Sequence, residues 1–238
     1  MESSDVELGY LAHPIDGTHP GVVMIHDVWG LGDHTRDLAR RLAREGFAVL
    51  AIDLYRRMGE SRIGDPGGWI RSLSDPEILS DVQDAVDFLT RHPASRGRAV
   101  GVTGFCMGGM YALLSACACR GISAAVPFYG MLSHEHGLLQ AEGGLDPARK
   151  PRQPLDAVAD LDCPMLAFFG DRDPFIPMAD VDALRQRLAA VDARSEVVVY
   201  PGAGHAFMND TRAEAYRPEA AADAWTRMVA FLRRQLAS

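Results

Sequence analysis

Short runs of apolar, often β-branched residues alternate along the chain with longer segments in which apolar residues recur every three or four positions. Continuous apolar runs are typical of strands that are buried on both faces, and the longer period is typical of amphipathic helices. The pattern predicts strands at residues 21–26, 47–53, 99–103, 124–129, 164–169 and 196–200. It predicts helices at residues 33–45, 75–91, 107–118, 178–191 and 218–236.

This order of elements indicates a parallel sheet that is covered by helices on both faces, so we expect an α/β fold. The sequence has no internal repeat, low-complexity tract or long linker, and residues 1–238 are expected to form a single domain. Two stretches lack clear periodicity, a loop at 56–74 that contains Gly and Pro and the segment 131–162. We expect the segment 131–162 to lie near the carboxyl edge of the sheet, where open α/β sheets hold ligand sites.

The most informative local pattern is residues 104–109 (GFCMGG), which lie between a predicted strand and an apolar helix. Glycines two residues before and two residues after Cys106 permit a sharp strand-to-helix turn, the nucleophile elbow, whose usual pattern is G-x-S-x-G. A helix N-terminus favours the thiolate of Cys106 over the thiol, and the N–H of Met107 could stabilise an oxyanion. Close strand–helix packing or a phosphate-binding turn would also need glycines, although the G-x-G-x-x-G spacing is absent.

The order of polar residues after later strands agrees with an elbow. An acid and then a histidine are expected downstream of the nucleophile, each at the end of a strand. Residues 170–174 (GDRDP) and 201–205 (PGAGH) follow two predicted strands in this order. His205 would act as the base, and the acid would orient its ring and stabilise the imidazolium. The spacing leaves both Asp171 and Asp173 open as the acid, since Asp171 could instead cap the turn.

These motifs together resemble those of the dienelactone hydrolase family, a cysteine branch of the α/β-hydrolases. The similar segments are residues 26–31 (HDVWGL), 52–55 (IDLY), 104–109 (GFCMGG), 170–177 (GDRDPFIP) and 204–207 (GHAF). The resemblance extends from about residue 21 to the C-terminus. It implies a mostly parallel α/β-hydrolase fold and the hydrolysis of a carboxylic ester or lactone through a thioester acyl-enzyme, without a cofactor. By position, it implies Cys106 as nucleophile, Asp173 as acid, His205 as base, and the N–H groups of Val28 and Met107 as the oxyanion hole.

Two positions differ from the usual pattern of the family. Asp27 stands where members usually have a Glu beside the resting thiol. We therefore expect Asp27 to contact Cys106, although its side chain is one methylene shorter than that of Glu. Asn209 stands where members have an Arg that helps to bind the substrate carboxylate. An amide offers only neutral hydrogen bonds where a guanidinium can bind a carboxylate bidentately. We therefore expect neutral esters or lactones to be preferred, unless Arg71 or Arg212 reaches the site.

Several side chains beside these motifs are candidates for the substrate pocket. The candidate substrate-binding residues are Trp29, Tyr129, Phe207, Asn209 and Arg71. The aromatic residues among them could equally belong to the hydrophobic core.

Two other polar groups have a plain structural interpretation. Residues 134–136 (HEH) could contact a metal, but an H-x-H pattern without a third placed ligand is typical of a solvated loop, and no metal site is expected. Asp53 ends a predicted strand and is an alternative acid, although a role in a turn is expected.

Charge and cysteine content limit the classes of partner and the cellular compartment that we expect. The chain has 24 Lys and Arg against 32 Asp and Glu, a net charge of −8 without a basic stripe, so neither nucleic acid nor an anionic membrane is expected as a partner. Residues 99–119 carry no formal charge over the length of a membrane span, but their four glycines favour a strand, a turn and a buried helix. Four clustered cysteines and the absence of a secretory signal predict a cytoplasmic protein. A monomer and a homodimer both remain open.

Two other functions are compatible with these residues. The same triad could serve a cysteine amidase or peptidase, and a hydrolase fold can also serve as a binding protein without catalysis. The presence of nucleophile, acid and base together favours an enzyme that acts on a small ester or lactone.

Overall fold

The computed structural model describes residues 1–58 and 63–237 of the chain. Its strands are β1 (Glu2–Val6), β2 (Gly9–His13), β3 (Gly21–Ile25), β4 (Ala48–Ile52), β5 (Val100–Phe105), β6 (Ile122–Phe128), β7 (Leu166–Gly170) and β8 (Glu196–Tyr200). Its α-helices are α1 (Asp33–Arg44), α2 (Pro66–Ser72), α3 (Asp75–Arg91), α4 (Met107–Ala118), α5 (Pro154–Ala157), α6 (Met178–Val191) and α7 (Pro218–Gln235). Short 3-10 turns occupy Gly137–Leu139 and Val158–Asp160.

The strands form one sheet in the order β1-β2-β4-β3-β5-β6-β7-β8. β1 pairs antiparallel with β2, β2 pairs antiparallel with β4, and all later pairs are parallel. Every residue of β3, β4 and β5 is buried, because both faces of these central strands are covered. This mostly parallel sheet with its helices confirms the predicted α/β-hydrolase fold.

The hydrophobic pattern located the long elements well. The helices predicted at 75–91, 107–118 and 178–191 have those bounds in the structure. It missed the hairpin of β1 and β2, because β1 (ESSDV) is a polar, largely exposed edge strand without an apolar face. Of the predicted loop 56–74, residues 59–62 lie outside the described residues, and Pro66–Ser72 forms a helix that is too short to show a period.

Three polar contacts anchor the segment 131–162 to helices α2, α3 and α4. Lys150 Nζ lies 2.5 Å from Asp75 Oδ1, in the first turn of α3, and 3.0 Å from the hydroxyl of Tyr111 in α4. The side chains of Lys150 and Asp75 are 0% and 4% exposed. Arg71 Nη1 donates to the carbonyl of Leu138 over 2.7 Å, which adds an anchor from α2. Because α3 and α4 begin at the carboxyl edge of the sheet, the part of the segment up to Lys150 lies at this edge, as expected. Residues 159–162 instead line a cavity with residues 116–122, at the opposite edge, where β7 begins.

The uncharged stretch 99–119 forms β5, the turn after it and α4. Within the described ranges, no helix has the length and apolar character needed to cross a membrane.

Candidate active site

Cys106 occupies the turn between β5 and α4, where its backbone has φ 57° and ψ −117°. A non-glycine residue adopts this left-handed region only when the surrounding structure enforces it. A Cβ atom at Gly104 would lie 2.1 Å from the carbonyl oxygen of Gly108, and one at Gly108 would lie 2.3 Å from that of Ile25. The turn therefore requires glycine at both positions. It places Cys106, which is 7% exposed, at the N-terminus of α4.

His205, in the loop after β8, is joined to Asp173, in the loop after β7. His205 Nδ1 lies 2.7 Å from Asp173 Oδ2, and the two side chains are 13% and 0% exposed. The other carboxylate oxygen of Asp173 accepts the N–H of Phe175 over 2.9 Å, which fixes the carboxyl group in its turn. A carboxylate only accepts hydrogen bonds, so Nδ1 of His205 carries the proton and Nε2 of the neutral ring is left as the basic nitrogen.

The second ring nitrogen faces the cysteine side of the site. Nε2 of His205 is buried, and Cys106 is the side chain that interacts with this side of the ring. Burial by itself lowers the pKa of His205, but its interactions with Cys106 and Asp173 raise it to about 10. The largest of these raising effects comes from Cys106. His205 is therefore placed to exchange a proton with Cys106 while Asp173 stabilises the protonated ring.

The other two acids considered from the sequence have different partners. Asp171 Oδ1 accepts the N–H of Gly202 over 2.7 Å, which joins the ends of β7 and β8. Asp53 Oδ1 accepts the N–H of Tyr55 over 2.9 Å and closes a turn after β4. In the described part of the chain, neither carboxylate makes a hydrogen bond with His205, so Asp173 is the acid that contacts this ring.

The two peptide groups expected to form an oxyanion hole belong to segments that pack against each other. Val28 follows β3 and is 4% exposed, and Met107 is the first residue of α4. The hydroxyl of Tyr55 lies 3.0 Å from the carbonyl oxygen of Val28 and 3.3 Å from Sδ of Met107. One side chain therefore touches both residues, which places the loop after β3 directly beside the elbow.

Asp27 has a different contact from the one expected. Its Oδ1 accepts the backbone N–H of Trp29 over 2.9 Å, so the short side chain closes a turn within its own loop. Among the hydrogen bonds of the described residues, none joins this carboxylate to the thiol of Cys106. Because the side chain of Asp27 is one methylene shorter than that of Glu, its carboxylate accepts the N–H two residues ahead in the chain. This hydrogen bond stabilises the turn after β3.

Aromatic side chains surround the histidine. The ring of Tyr129, a buried residue with φ 38°, lies 5.1 Å from that of His205 and 5.3 Å from that of Phe207. Phe175, which the sequence did not single out, packs edge-on against His205 at 5.1 Å. Trp29 is 52% exposed. Tyr129 and Phe207 thus lie at the histidine, whereas Trp29 does not enclose it.

A cavity of about 390 Å³ adjoins Asp27 and Trp29 and is also lined by Asn209 and Arg212. Asn209 is 6% exposed, and its Oδ1 accepts hydrogen bonds from the N–H and the hydroxyl of Thr211. The Nε of Arg212 lies 3.4 Å from Glu214, on the surface. Arg71, by contrast, is engaged with the Leu138 carbonyl and lies 3.8 Å from Asp65. Of the two arginines considered from the sequence, Arg212 is the one that shares this cavity.

Residues 134–136, the H-x-H segment, form no metal-binding group with the other described residues. His136 Nδ1 lies 3.2 Å from Asp180 Oδ2. Over the described residues, no group of three or more His, Cys, Asp or Glu side chains is arranged to hold an ion.

The family model described as "Dienelactone hydrolase family" matches residues 8–236. The chain belongs to the dienelactone hydrolase family. This confirms the family resemblance seen in the sequence motifs.

Similar dienelactone hydrolase relatives cover most of the chain. An Escherichia coli (strain K12) protein named "Putative carboxymethylenebutenolidase" is 35% identical over 90% of this chain and 76% of its own length. A Bradyrhizobium protein named "Probable 2-oxo-3-(5-oxofuran-2-ylidene)propanoate lactonase" is 34% identical over 97% of this chain and 90% of its own length. The crystal structure titled "Putative Dienelactone Hydrolase" from Klebsiella pneumoniae is 36% identical, covers 93% of this chain and 90% of that one, and has a TM-score of 0.81. The protein is an ester or lactone hydrolase.

Sequence reasoning assigned no role to two residues of the site, His26 and Tyr55. Both belong to segments that carry the resemblance, 26–31 and 52–55, which was the available signal. Their partners are distant in sequence and cannot be read from the pattern.

Proposed function

We propose that this hydrolase cleaves neutral carboxylic esters or lactones through Cys106, His205 and Asp173, with a thioester acyl-enzyme as intermediate. The observation that carries the proposal is the buried contact of 2.7 Å between His205 and Asp173. It leaves the buried Nε2 of His205 for an interaction with Cys106, which raises the pKa of the ring. The names of the relatives, a carboxymethylenebutenolidase and a lactonase, support a lactone substrate. Both names denote lactones that carry a carboxylate, so the preference for neutral substrates is argued only from the residues of this chain.

The reaction would proceed in two halves. The thiolate of Cys106 adds to the carbonyl carbon, and the N–H groups of Val28 and Met107 stabilise the resulting oxyanion. The tetrahedral intermediate collapses with cleavage of the C–O bond, and His205 transfers its proton to the leaving alkoxide. His205 then takes a proton from water, whose oxygen attacks the thioester, and the carboxylic acid leaves as the C–S bond breaks and the thiolate is restored. For a lactone, the alcohol and the acid remain in one product molecule.

The preference for neutral substrates is inferred from the hydrogen bonds and ion pairs that Asn209, Arg71 and Arg212 already make. A substrate carboxylate that is removed from water needs a charged or multiply hydrogen-bonded partner. The Asn209 carbonyl is used within its own turn, and the guanidinium of Arg71 is used to hold residue Leu138. Arg212 is surface-exposed and paired with Glu214, so its charge is partly screened.

The direct test is a panel of aryl esters, lactones and peptides assayed with the wild type, Cys106→Ala and Cys163→Ala. Cys163 is a matched control because it is also buried but lies outside the site. We expect the wild type and Cys163→Ala to hydrolyse an ester or lactone. We expect Cys106→Ala to lose this activity, and its mass spectrum should show no acyl-enzyme. Cleavage of peptides in preference to esters would indicate an amidase, and binding without turnover would indicate a non-catalytic protein.

The substrate class is tested by comparing kcat/KM for a carboxylated lactone and its neutral analogue. We expect the wild type to favour the neutral compound, and Asn209→Arg, once shown to be folded, to move the ratio toward the anion. A tenfold preference of the wild type for the anion, about 1.4 kcal/mol of transition-state binding, would contradict the proposal. If Arg212→Gln abolished that preference, Arg212 would be the residue that binds the carboxylate.

A further inference from the structure

His26 is a buried titratable residue that the hydrolytic mechanism does not use. It is 0% exposed at the end of β3. Its Nδ1 lies 2.5 Å from the carbonyl oxygen of Asp27, and its Nε2 lies 3.2 Å from the backbone nitrogen of Leu54. A carbonyl only accepts and an N–H only donates, so these two partners determine the tautomer: Nδ1 carries the proton and Nε2 accepts. Burial also lowers the pKa of His26, which keeps the ring neutral.

The carbonyl group that His26 binds belongs to the peptide bond between Asp27 and Val28. The carbonyl oxygen of Asp27 and the N–H of Val28 are the two ends of a single peptide bond. In a trans peptide the C=O and N–H bonds point in opposite directions within one plane. Holding the oxygen of Asp27 therefore fixes the direction of the Val28 N–H. The N–H of Gly30 also donates to this oxygen, over 3.3 Å, so His26 provides the shorter of its two hydrogen bonds. A hydrogen bond to the oxygen also polarises the peptide group and strengthens the N–H as a donor.

A second side chain holds the next peptide group. The hydroxyl of Tyr55 has one proton, and it donates to the carbonyl oxygen of Val28 over 3.0 Å while its oxygen packs against Sδ of Met107. The rings of His26 and Tyr55 are in edge contact, with 4.8 Å between their centroids. The two residues thus hold the peptide groups before and after the Val28 Cα atom, and both are tied to the end of β4.

We propose that His26 is a positioning residue for the oxyanion hole, which aims the Val28 N–H at the reacting carbonyl by holding the oxygen of the same peptide group. The inference rests on the proposed function, in which this N–H stabilises the oxyanion. His26 touches neither substrate nor thiol in this role. Tyr55 assists by fixing the following carbonyl and by joining the loop after β3 to the elbow.

Two amide substitutions separate the two hydrogen bonds of His26. The side-chain amide of Asn can place a donor where Nδ1 is, so His26→Asn retains the bond to the Asp27 oxygen and loses the link to Leu54. The longer Gln places its amide where Nε2 is, so His26→Gln retains an acceptor for the Leu54 N–H and loses the donor to Asp27. We expect kcat to fall at least tenfold in His26→Gln with KM within about twofold, and to stay within about threefold of the wild type in His26→Asn. Removal of one oxyanion donor costs about 10²–10³ in kcat, and a donor that is misdirected costs part of that.

A chemical control isolates the oxyanion hole from the thiolate. Alkylation of Cys106 by iodoacetamide forms no tetrahedral oxyanion, so its rate should be unchanged in His26→Gln while acylation by an aryl ester is slowed. Tyr55→Phe, which conserves the ring, provides a variant that is expected to fold if the His26 variants do not. We expect it to lower kcat about threefold or more, whereas Tyr10→Phe, which removes a hydroxyl contact to Arg40 away from the site, should have no effect.

The outcomes are distinguishable. Equal kcat values in the wild type, His26→Gln and Tyr55→Phe would overturn the inference, as would a decrease in His26→Asn that exceeds the one in His26→Gln. If the His26 variants do not fold, an unchanged kcat in Tyr55→Phe overturns it. A wild type that hydrolyses no ester or lactone would overturn the proposed function, and this assignment with it.

Discussion

Replacing Asp173 by Asn tests the catalytic arrangement at its most buried point. In the wild type, one carboxylate oxygen accepts the N–H of Phe175 and the other accepts Nδ1–H of His205. An Asn side chain that keeps its oxygen on Phe175 turns its NH₂ group toward the ring. Nδ1 must then accept, so the proton moves to Nε2, and His205 can no longer act as a base toward Cys106 or water. An Asn turned the other way loses the bond to Phe175 and still lacks the negative charge.

The charge sets the size of the effect. Two unit charges about 4 Å apart attract each other by about 4 kcal/mol at an effective dielectric constant of 20. A value of 20 reproduces measured charge interactions best even for buried sites, and the side chains of Asp173 and His205 are 0% and 13% exposed. The imidazolium would lose stabilisation of this order, and since each 1.36 kcal/mol is a factor of ten, kcat/KM should fall about 10³-fold.

The assay is steady-state hydrolysis of a neutral aryl ester, with the fold checked by circular dichroism and thermal unfolding. Asp171→Asn is the matched control, because it changes the same residue type in the same turn and its amide oxygen can still accept the N–H of Gly202. We expect kcat/KM of this control within about twofold of the wild type. A folded Asp173→Asn enzyme with less than a tenfold loss, or a larger loss in Asp171→Asn, would refute the reasoning.

Three further predictions concern reactivity, pH and the elbow. Iodoacetamide at pH 7 should label Cys106 first, because burial raises the pKa values of the other three cysteines to about 11 or 12; peptide mass mapping checks this, and earlier labelling of another cysteine contradicts it. The folded-state pKa of His205, about 10, exceeds its unfolded value, about 6.5, so its protonation stabilises the fold fully below pH 6.5, and this contribution is lost as the pH rises to 10. Urea unfolding of the wild type and His205→Gln should show a difference in unfolding free energy that shrinks over this range, and a constant difference would be inconsistent with the pKa. Gly108→Ala should cost about 3 kcal/mol or more, because its Cβ would lie 2.3 Å from a carbonyl oxygen, whereas Gly64→Ala, with no atom within 4 Å, should change stability by less than about 0.5 kcal/mol.

The sequence alone was sufficient to predict the long elements and the order of the site residues. Helix and strand periods arise from contacts between neighbours in the chain, so the bounds of α3, α4, α6 and β8 could be read from the pattern. The elbow could be predicted because its backbone conformation excludes side chains at Gly104 and Gly108, a requirement that is local and leaves a mark in the composition. The polar hairpin and the short α2 left no such mark.

The tertiary structure alone decided which side chains meet. Asp171 and Asp173 are two residues apart in one turn, and the packing of that turn against the loop after β8 determines which of them contacts His205, 32 residues away from Asp173. The same holds for Asp27, whose carboxylate bonds within its own loop, and for His26, whose partner Leu54 is 28 residues distant. Secondary structure depends on short-range periodicity that a single sequence records. The partner of a buried polar group depends on which distant segments the sheet brings together and on the one geometry that satisfies each donor and acceptor there.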